Sequence, residues 1–465
     1  MGNCFLIPAE IGSWNGVTKA SAELWGADSL RGRFARGVAW SLIGALMSQG
    51  SNLAASVLIA RLLGRARFGE YGMIQSTVGM FGIFAGLGLG VTATKYVAEL
   101  RSRDPERAGR IIALGCAAAI VSGGLLALGL AACASLIAAR TLDAPALESE
   151  LRIASVLLFF NAFNGAQTGA LAGLEAFRTI ARINMARGFV TFPITACLVF
   201  LWRLPGAIWA LAVAAAVTCF LSQLSLRQHC ADLGIRPRFS CAWRERRVLW
   251  TFSTPAFLSG AMVGPVTWAA NTILVHQPGG YAEMGVFSAA SQWRAAVVFL
   301  PALLSQPLLS ILSNVGGTDR RSFGKLLRAN ILLAFAVSLS IAAPIVLCAS
   351  WIMKAYGPDF SAGRPVLILL VVAAVISVTA GVVGQAIASM DKMWWGLTLN
   401  LVWAAVMLVA AILLVPRYGG LGLALAYLGS YAAHALTVTA YAQIHLKNHA
   451  VDVEAGLRPV ATATL

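Results

Sequence analysis

The chain has 465 residues, 58% of them hydrophobic and only 12% charged, with a mean hydropathy of +0.77. A soluble globular protein is roughly a quarter charged, so this composition excludes a soluble body and reads as an integral membrane protein. The net charge of +16, from 35 Lys/Arg against 19 Asp/Glu, fits basic residues gathered in cytoplasmic loops. No nucleic-acid partner is expected.

Residues 1–35 are mixed and polar, and are expected to form a cytoplasmic tail. Apolar stretches then recur near 37–60, 70–93, 111–135, 153–173, 180–201, 206–226, 248–274, 284–310, 329–350, 365–388, 393–415 and 420–443. At about 20 apolar residues per crossing, these are about twelve transmembrane helices. The expected fold is therefore an all-α polytopic membrane protein. Lys and Arg divide 25 to nine between the two sides, with Arg294 left inside the eighth crossing. Positive charge stays in the cytoplasm, which places both termini there.

The longest polar stretch between crossings halves the chain. The expected organisation is an N-lobe at 36–228, a linker at 229–246, a C-lobe at 247–445 and a cytoplasmic tail at 446–465. Weak echoes link the halves. Glu70-Tyr71-Gly72 parallels Glu283-Met284-Gly285, and Asn184 and Gly206 parallel Asn400 and Gly422, at a nearly constant offset along the chain. With six crossings each, both halves start on the same side, so the repeat is parallel. Transporters built this way hold substrate between the two bundles.

Every Asp and Glu can be placed in a loop, a tail or at a helix end, which disfavours a cationic substrate. Arg294 is the one cation well inside a crossing, beside Gln292, and a guanidinium fork suits an oxyanion such as phosphate. Snorkelling to an interface is its bland alternative. Arg187 is the second cationic candidate. Amides recur in the crossings: Gln49, Asn52, Gln75, Asn161, Asn164, Gln167, Asn184 and Asn271. Such side chains either clamp helices together or meet a hydroxyl-rich ligand. The spacing of three in Asn161, Asn164 and Gln167 predicts one shared face. Gly50 in the first crossing, and Pro255 with Pro265 in the seventh, are expected to bend or interrupt matched helices.

No Walker-type loop is present, and His229, Cys230 and Cys241 lack ligand spacing. Neither a cofactor, a metal nor an enzymatic activity is expected.

The segment Ala60-Arg61-Leu62-Leu63-Gly64-Arg65-Ala66-Arg67-Phe68-Gly69-Glu70-Tyr71-Gly72 follows Arg36-Gly37-Val38-Ala39-Trp40-Ser41 and a long helix. Together with Gly285-Val286-Phe287-Ser288, Gln292-Trp293-Arg294 and Pro416-Arg417-Tyr418-Gly419-Gly420, it resembles the polysaccharide-transporter branch of the multidrug, oligosaccharidyl-lipid and polysaccharide exporter superfamily, the Wzx-type flippases. The resemblance spans roughly 36–445. It implies two six-helix lobes around a central cavity in the cell inner membrane. It further implies translocation of undecaprenyl-diphosphate-linked oligosaccharide for O-antigen, capsule or exopolysaccharide synthesis. Expected partners are that lipid-linked glycan, membrane lipids, and polymerase and chain-length proteins of the same pathway. On this reading Arg294, Gln292, Arg187, Asn52, Gln75, Asn164 and Asn271 are the candidate substrate contacts. Two rivals stay open: a small-molecule or drug exporter of the same architecture, and a membrane-embedded glycan polymerase or ligase.

Overall fold

The computed structural model describes residues 30–454 apart from 238, 250–252, 255–256, 258–260, 316–319 and 389–392. The N-lobe is built from α1 (Leu30–Leu63), α2 (Arg65–Gly86), α3 (Leu89–Leu100), α4 (Pro105–Ala132), α5 (Glu148–Gly173) and α6 (Phe177–Asp232). The C-lobe is built from α7 (Val263–Val275), α8 (Gly280–Val315), α9 (Arg320–Leu347), α10 (Ala349–Tyr356), α11 (Arg364–Ala388) and α12 (Met393–Glu454). Among the described residues five helices are each long and apolar enough to span a bilayer, and α2 with α3 passes as a sixth, bent by 41°. That bend falls where Leu87 and Gly88 take left-handed backbone, with φ 43° and 68°. The start of α4 is fixed locally: Asp104 accepts a hydrogen bond from the Arg107 amide at 2.9 Å, and Pro105 occupies the first turn.

Two of the long helices are hairpins. In α6 the backbone breaks at Arg203 (φ 55°, ψ −126°), and in α12 at Gly419 (φ 54°, ψ −131°). A Cβ on Gly206 would lie 1.9 Å from the Leu198 carbonyl oxygen, and one on Gly422 would lie 2.2 Å from that of Leu414. A straight helix would hold residues eight apart at about 12 Å. The ends of α6 accordingly meet, with Thr179 Oγ1 2.9 Å from His229 Nε2. Leu399 and Val438 likewise share a core cluster in α12. Each hairpin supplies two crossings, so every one of the twelve sequence segments coincides with helix, the seventh through its second half. Arg203 and Gly419 are set apart by the same interval as Leu198 and Leu414, and as Gly206 and Gly422, so the two hairpins are equivalent parts of the repeat.

Arg203 occupies backbone that glycine adopts without penalty, and its repeat-mate is glycine. Arg203→Gly should therefore leave the melting temperature of the purified protein unchanged or raise it. Gly419→Val should lower it, by about 1–3 kcal/mol of stability. Thermal melts of both variants in detergent check this pair.

The hydrophobic core shows how the lobes meet. At the end bearing the Leu63–Arg65 connection, the far end, one cluster joins both lobes: Ile59, Phe68 and Leu142 pack with Tyr356, Phe360 and Met353. At the opposite end, where the linker lies, the clusters separate. Val97, Ile111, Leu171 and Leu226 belong to the N-lobe, whereas Leu327, Val382 and Ala386 belong to the C-lobe. The linker rides on the N-lobe, with Glu245 held by Arg107 and Arg110 at 3.1 and 3.2 Å. The start of the seventh crossing also touches the N-lobe, through Thr92 Oγ1 and Ser253 Oγ at 2.8 Å. Among the described residues the lobes are thus joined by one cluster at the far end, and toward the linker end through the start of the seventh crossing.

Candidate functional site

Between the lobes, hollowed into the N-lobe, lies a cavity of about 630 Å³. From α1 it takes Gln49, Asn52, Ser56 and Ile59, the successive turns of one helix face. From α2 it takes Tyr71, Gln75, Val78, Gly79 and Gly82. Glycines leave this wall without side chains, and nothing lies within 4 Å of where a Gly79 Cβ would stand. The first arm of α6 adds Arg187, Thr191 and Thr195, four residues apart; α5 adds Asn161, and α8 adds Gln292 and Ala295. Along α2 the lining runs from Tyr71 to Gly86, about 22 Å at helical rise, and it continues to Gly90 at the start of α3.

Among the described residues Arg187 is the only charged one in the wall. Its Nε is buried with no hydrogen-bond partner. A desolvated guanidinium without a carboxylate is costly, and an oxyanion arriving in the cavity would relieve that cost. Thr191 gives its hydroxyl proton to the Arg187 carbonyl oxygen at 2.6 Å, so it holds the helix and leaves the guanidinium free.

Four of the seven candidate contacts thus line one cavity, Asn52, Gln75, Arg187 and Gln292, and the amides Gln49 and Asn161 join them. Others stand elsewhere. Asn164 accepts a hydrogen bond from Ser222 at 3.0 Å, and Gln167 donates to Gln223 at 2.7 Å, both on the second arm of α6. A spacing of three falls about 60° short of a full turn at each step, so the row beginning at Asn161 rotates out of the cavity; the expected shared face does not persist. Asn271 donates to Ser76 at 2.9 Å, where it pins α7 to α2. Arg294 lies two residues beyond Gln292, about 200° around α8, and its guanidinium carbon sits 5.4 Å over the Tyr427 ring in the C-lobe. Its Nε too is buried without a hydrogen-bond partner. α1 continues through Gly50 as helix. Pro255 lies outside the described residues. Pro265 is the third residue of α7, which restarts after a turn at 261–262.

The repeat shows what stands opposite this wall in the other lobe. At the interval that relates the two hairpins, the cavity residues Tyr71, Arg187 and Leu211 correspond to Phe287, Trp403 and Tyr427. Those rings pack together with Tyr431 at centroid distances of 5.5 to 6.3 Å and fill the space. No motif in the sequence singles out the threonines of α6 or the glycines of α2, although Thr191 and Thr195 follow Arg187 at helical spacing.

The cavity ends at the far-end seal. There α2 and α8 cross so closely that a Cβ on Gly69 would lie 1.8 Å from the Tyr281 carbonyl oxygen, and one on Gly285 would lie 2.1 Å from that of Arg65. This glycine pair, related by the interval of the hairpins, corrects the register of the repeat: Gly285 answers Gly69, whereas the sequence echo sets it against Gly72. Beside the crossing, Arg65 pairs with Glu283, whose other oxygen accepts from the Gly420 amide at 3.2 Å. Tyr281 donates to the Leu142 carbonyl at 2.7 Å, and Phe68, fully buried, sits against Tyr356 and Phe360 of the other lobe.

Two helical lobes built as a parallel repeat, with a polar cavity sealed at one end, are the fold of solved membrane transporters. The fold matches an inward-facing multidrug resistance MATE family transporter of the MOP superfamily, with a TM-score of 0.71 at 15% identity, over 88% of this chain and 98% of the other. It also matches a MOP superfamily transporter from Pyrococcus furiosus, with a TM-score of 0.67 at 18% identity over 89% and 95%, whose binding pocket is described as having reverse polarity. The family model for "polysaccharide biosynthesis protein" matches residues 34–311, and the chain belongs to that family. It is similar to the EPS I polysaccharide export inner membrane protein EpsE of Ralstonia nicotianae, 25% identical over 409 residues, which are 83% of this chain and 88% of that protein. The EpsE of Ralstonia solanacearum is 25% identical over 400 residues, covering 82% and 88%. It is a polytopic helical membrane protein of that polysaccharide biosynthesis family.

Proposed function

We propose that the chain moves a polyprenyl-diphosphate-linked oligosaccharide from the inner to the outer leaflet of the inner membrane, and that the N-lobe cavity receives its head group. The observation that carries this reading is the composition of the wall, which among the described residues holds one guanidinium, the amides Gln49, Asn52, Gln75, Asn161 and Gln292, and no carboxylate. A diphosphate calls for a cation, and sugar hydroxyls call for neighbouring donors and acceptors. A cationic drug would call for an acid, which this wall does not offer. The relatives' names, which speak of polysaccharide export, favour the same substrate over a drug and favour transport over catalysis.

In this reading the Lys/Arg-rich linker end is cytoplasmic. Residues 1–35 and 446–465 are cytoplasmic tails, and 229–246 is the link between lobes. The cavity then stands open inward with its far-end seal toward the outside. Export requires that seal to part: the Arg65–Glu283 pair, the Tyr281–Leu142 hydrogen bond and the contact of Arg61 Nε with the Ala355 carbonyl at 2.6 Å all bridge the lobes. Arg187 seats the diphosphate first. Arg294, also unpaired and held over Tyr427, is its seat on the C-lobe side as the lobes rock. The delivered unit passes to polymerase and chain-length proteins. Arg294→Ala should abolish export at unchanged protein level, and Arg294→Lys should retain part of it, since an ammonium keeps the charge without the fork.

Deleting the gene tests the class of substrate. The expected result is loss of surface polysaccharide, lipid-linked units trapped on the inner face of spheroplast membranes, and unaltered sensitivity to cationic dyes. Intact glycan with heightened dye sensitivity would favour the drug exporter. Units that reach the outer face unpolymerised would favour the polymerase.

A further inference from the structure

The linker between the lobes has two unlike faces. Residues 236–247 hold five arginines and a single acid, Glu245. That acid is engaged inward, on Arg107 and Arg110 of α4 at 3.1 and 3.2 Å. Glu245 ends a 3₁₀ turn, Phe239–Glu245, in which residues three apart eclipse one another. Ala242 and Glu245 accordingly share the inner face, where Ala242 packs with Ala113 and Leu114 of α4. The Arg246 amide donates to the Trp243 carbonyl oxygen at 3.2 Å, and this further turn sets Trp243 and Arg246 together on the outer face. The docking is close, since a Cβ on Gly109 would lie 2.5 Å from the Arg236 carbonyl oxygen. On the outer face Phe239 and Trp243 are 62% and 65% exposed, and Arg236, Arg244 and Arg246 are exposed around them.

The depth of this outer face follows from α4. That helix is polar through Arg107 and Arg110 and apolar from Ile111 onward, so the bilayer boundary crosses it there. The linker lies across the same level, with Glu245 on the arginines and Ala242 on the first apolar turns. Uncovered aromatic rings at such a boundary suit the headgroup level of a bilayer, and guanidinium groups beside them suit phosphates. We propose that the outer face of the linker binds anionic phospholipid of the leaflet at the linker end. Phe239 and Trp243 reach between the lipids, and Arg236, Arg244 and Arg246 hold their phosphates. The inference takes its orientation from the transport reading above and adds a lipid site outside the cavity. A protein partner covering the rings would have to desolvate three cations, whereas a headgroup layer offers counter-charge and apolar surface side by side. The linker leads into the seventh crossing, whose start touches the N-lobe through Ser253 and Thr92. Anchored in this way, it holds the segment that joins the lobes at a fixed depth while the lobes rock.

The test uses the full chain in nanodiscs of phosphatidylglycerol and phosphatidylcholine in equal parts. Wild type is compared with the triple variant Arg236→Gln/Arg244→Gln/Arg246→Gln, and with a control that loses three exposed arginines elsewhere, Arg140→Gln/Arg364→Gln/Arg417→Gln. The phospholipids that stay with each released protein are counted by native mass spectrometry. Wild type and control should retain phosphatidylglycerol in excess, and the linker variant should show about a tenfold smaller excess, because basic residues at a leaflet draw anionic lipid. An equal excess in all three proteins would overturn the proposal. Its second arm reads the depth of Trp243, one of 13 tryptophans, as the emission of wild type minus that of Trp243→Phe. Phosphatidylcholine brominated at shallow acyl positions should quench this difference. An unquenched difference would overturn the proposal and leave the face to a protein partner; this arm decides if the triple variant fails to fold. Neither arm contains a lipid-linked glycan, so failure of both leaves the transport reading standing. Its orientation is tested apart, by tryptic cleavage at Arg246, expected in inverted vesicles and absent in intact spheroplasts. Cleavage in spheroplasts would overturn that orientation.

Discussion

Replacing Arg187 with Ala should abolish export while the protein still accumulates in the membrane at its usual level. Among the described residues Arg187 is the one charge in the cavity wall, and its Nε is buried without a hydrogen-bond partner. It has no structural ion pair to lose, so its removal relieves the fold of a desolvated charge and spares stability. A bound diphosphate, in contrast, loses charge-assisted hydrogen bonds in a water-poor site. Truncating one partner of such a contact costs about 2–5 kcal/mol, or from about thirty-fold to a few thousand-fold in affinity. Arg187→Lys keeps the charge but loses the planar fork, and should restore a fraction of transport. Binding titrations with a lipid diphosphate, set beside thermal melts, check both halves. A variant that binds normally, or that melts early and binds no worse once folded, would remove Arg187 from the site.

The second large effect is expected at the far-end seal. Gly69→Val and Gly285→Val each place carbon within about 2 Å of a carbonyl oxygen on the opposing helix, at 1.8 and 2.1 Å for the Cβ alone. Backbone cannot yield by that much, so α2 and α8 must separate. Small residues at membrane helix crossings serve this close approach, and here the crossing joins the lobes. Each substitution should open the far end and stop transport even though neither residue touches the cavity. Spin labels at the exposed Arg140 and Lys354 positions, one on each lobe near that end, should report a longer separation in both variants than in wild type. An unchanged separation would show that the crossing does not govern the seal. Phe68→Ala should act in the same direction, since burial of this ring between lobes is worth about 3–5 kcal/mol.

Much of this architecture was legible in the chain because membrane helices must satisfy their own backbone and must be long and apolar. That constraint writes the crossings plainly, and the hairpins at Arg203 and Gly419 fall between segments already separated by Pro205 and by Gly419-Gly420. The repeat was legible too, but its register was not. Gly72 and Gly285 look like partners by their neighbours, whereas the contact joins Gly69 to Gly285, because what is repeated is the helix crossing and not the surrounding tripeptide. The site was half legible. Amides and arginines inside crossings are conspicuous, yet which way each one faces depends on phase. Two residues of difference turn Arg294 toward Tyr427 and Gln292 toward the cavity. The three-residue row from Asn161 drifts off the wall for the same reason. The hollow itself owes its width to side chains that are missing, at Gly79 and Gly82, and that is not visible without the three-dimensional arrangement.

In the proposed cycle this cavity carries an anionic, lipid-linked glycan across the bilayer. Its most direct test is reconstitution of the purified protein into liposomes containing an undecaprenyl-diphosphate oligosaccharide, followed by a glycan-cleaving or lectin probe that reaches only the outer leaflet. Wild type should bring the inner pool to the probe far faster than empty liposomes, and Arg187→Ala should match the empty ones. Translocation by the Arg187→Ala variant at the wild-type rate, or none by wild type while a cationic dye is moved instead, would contradict the account.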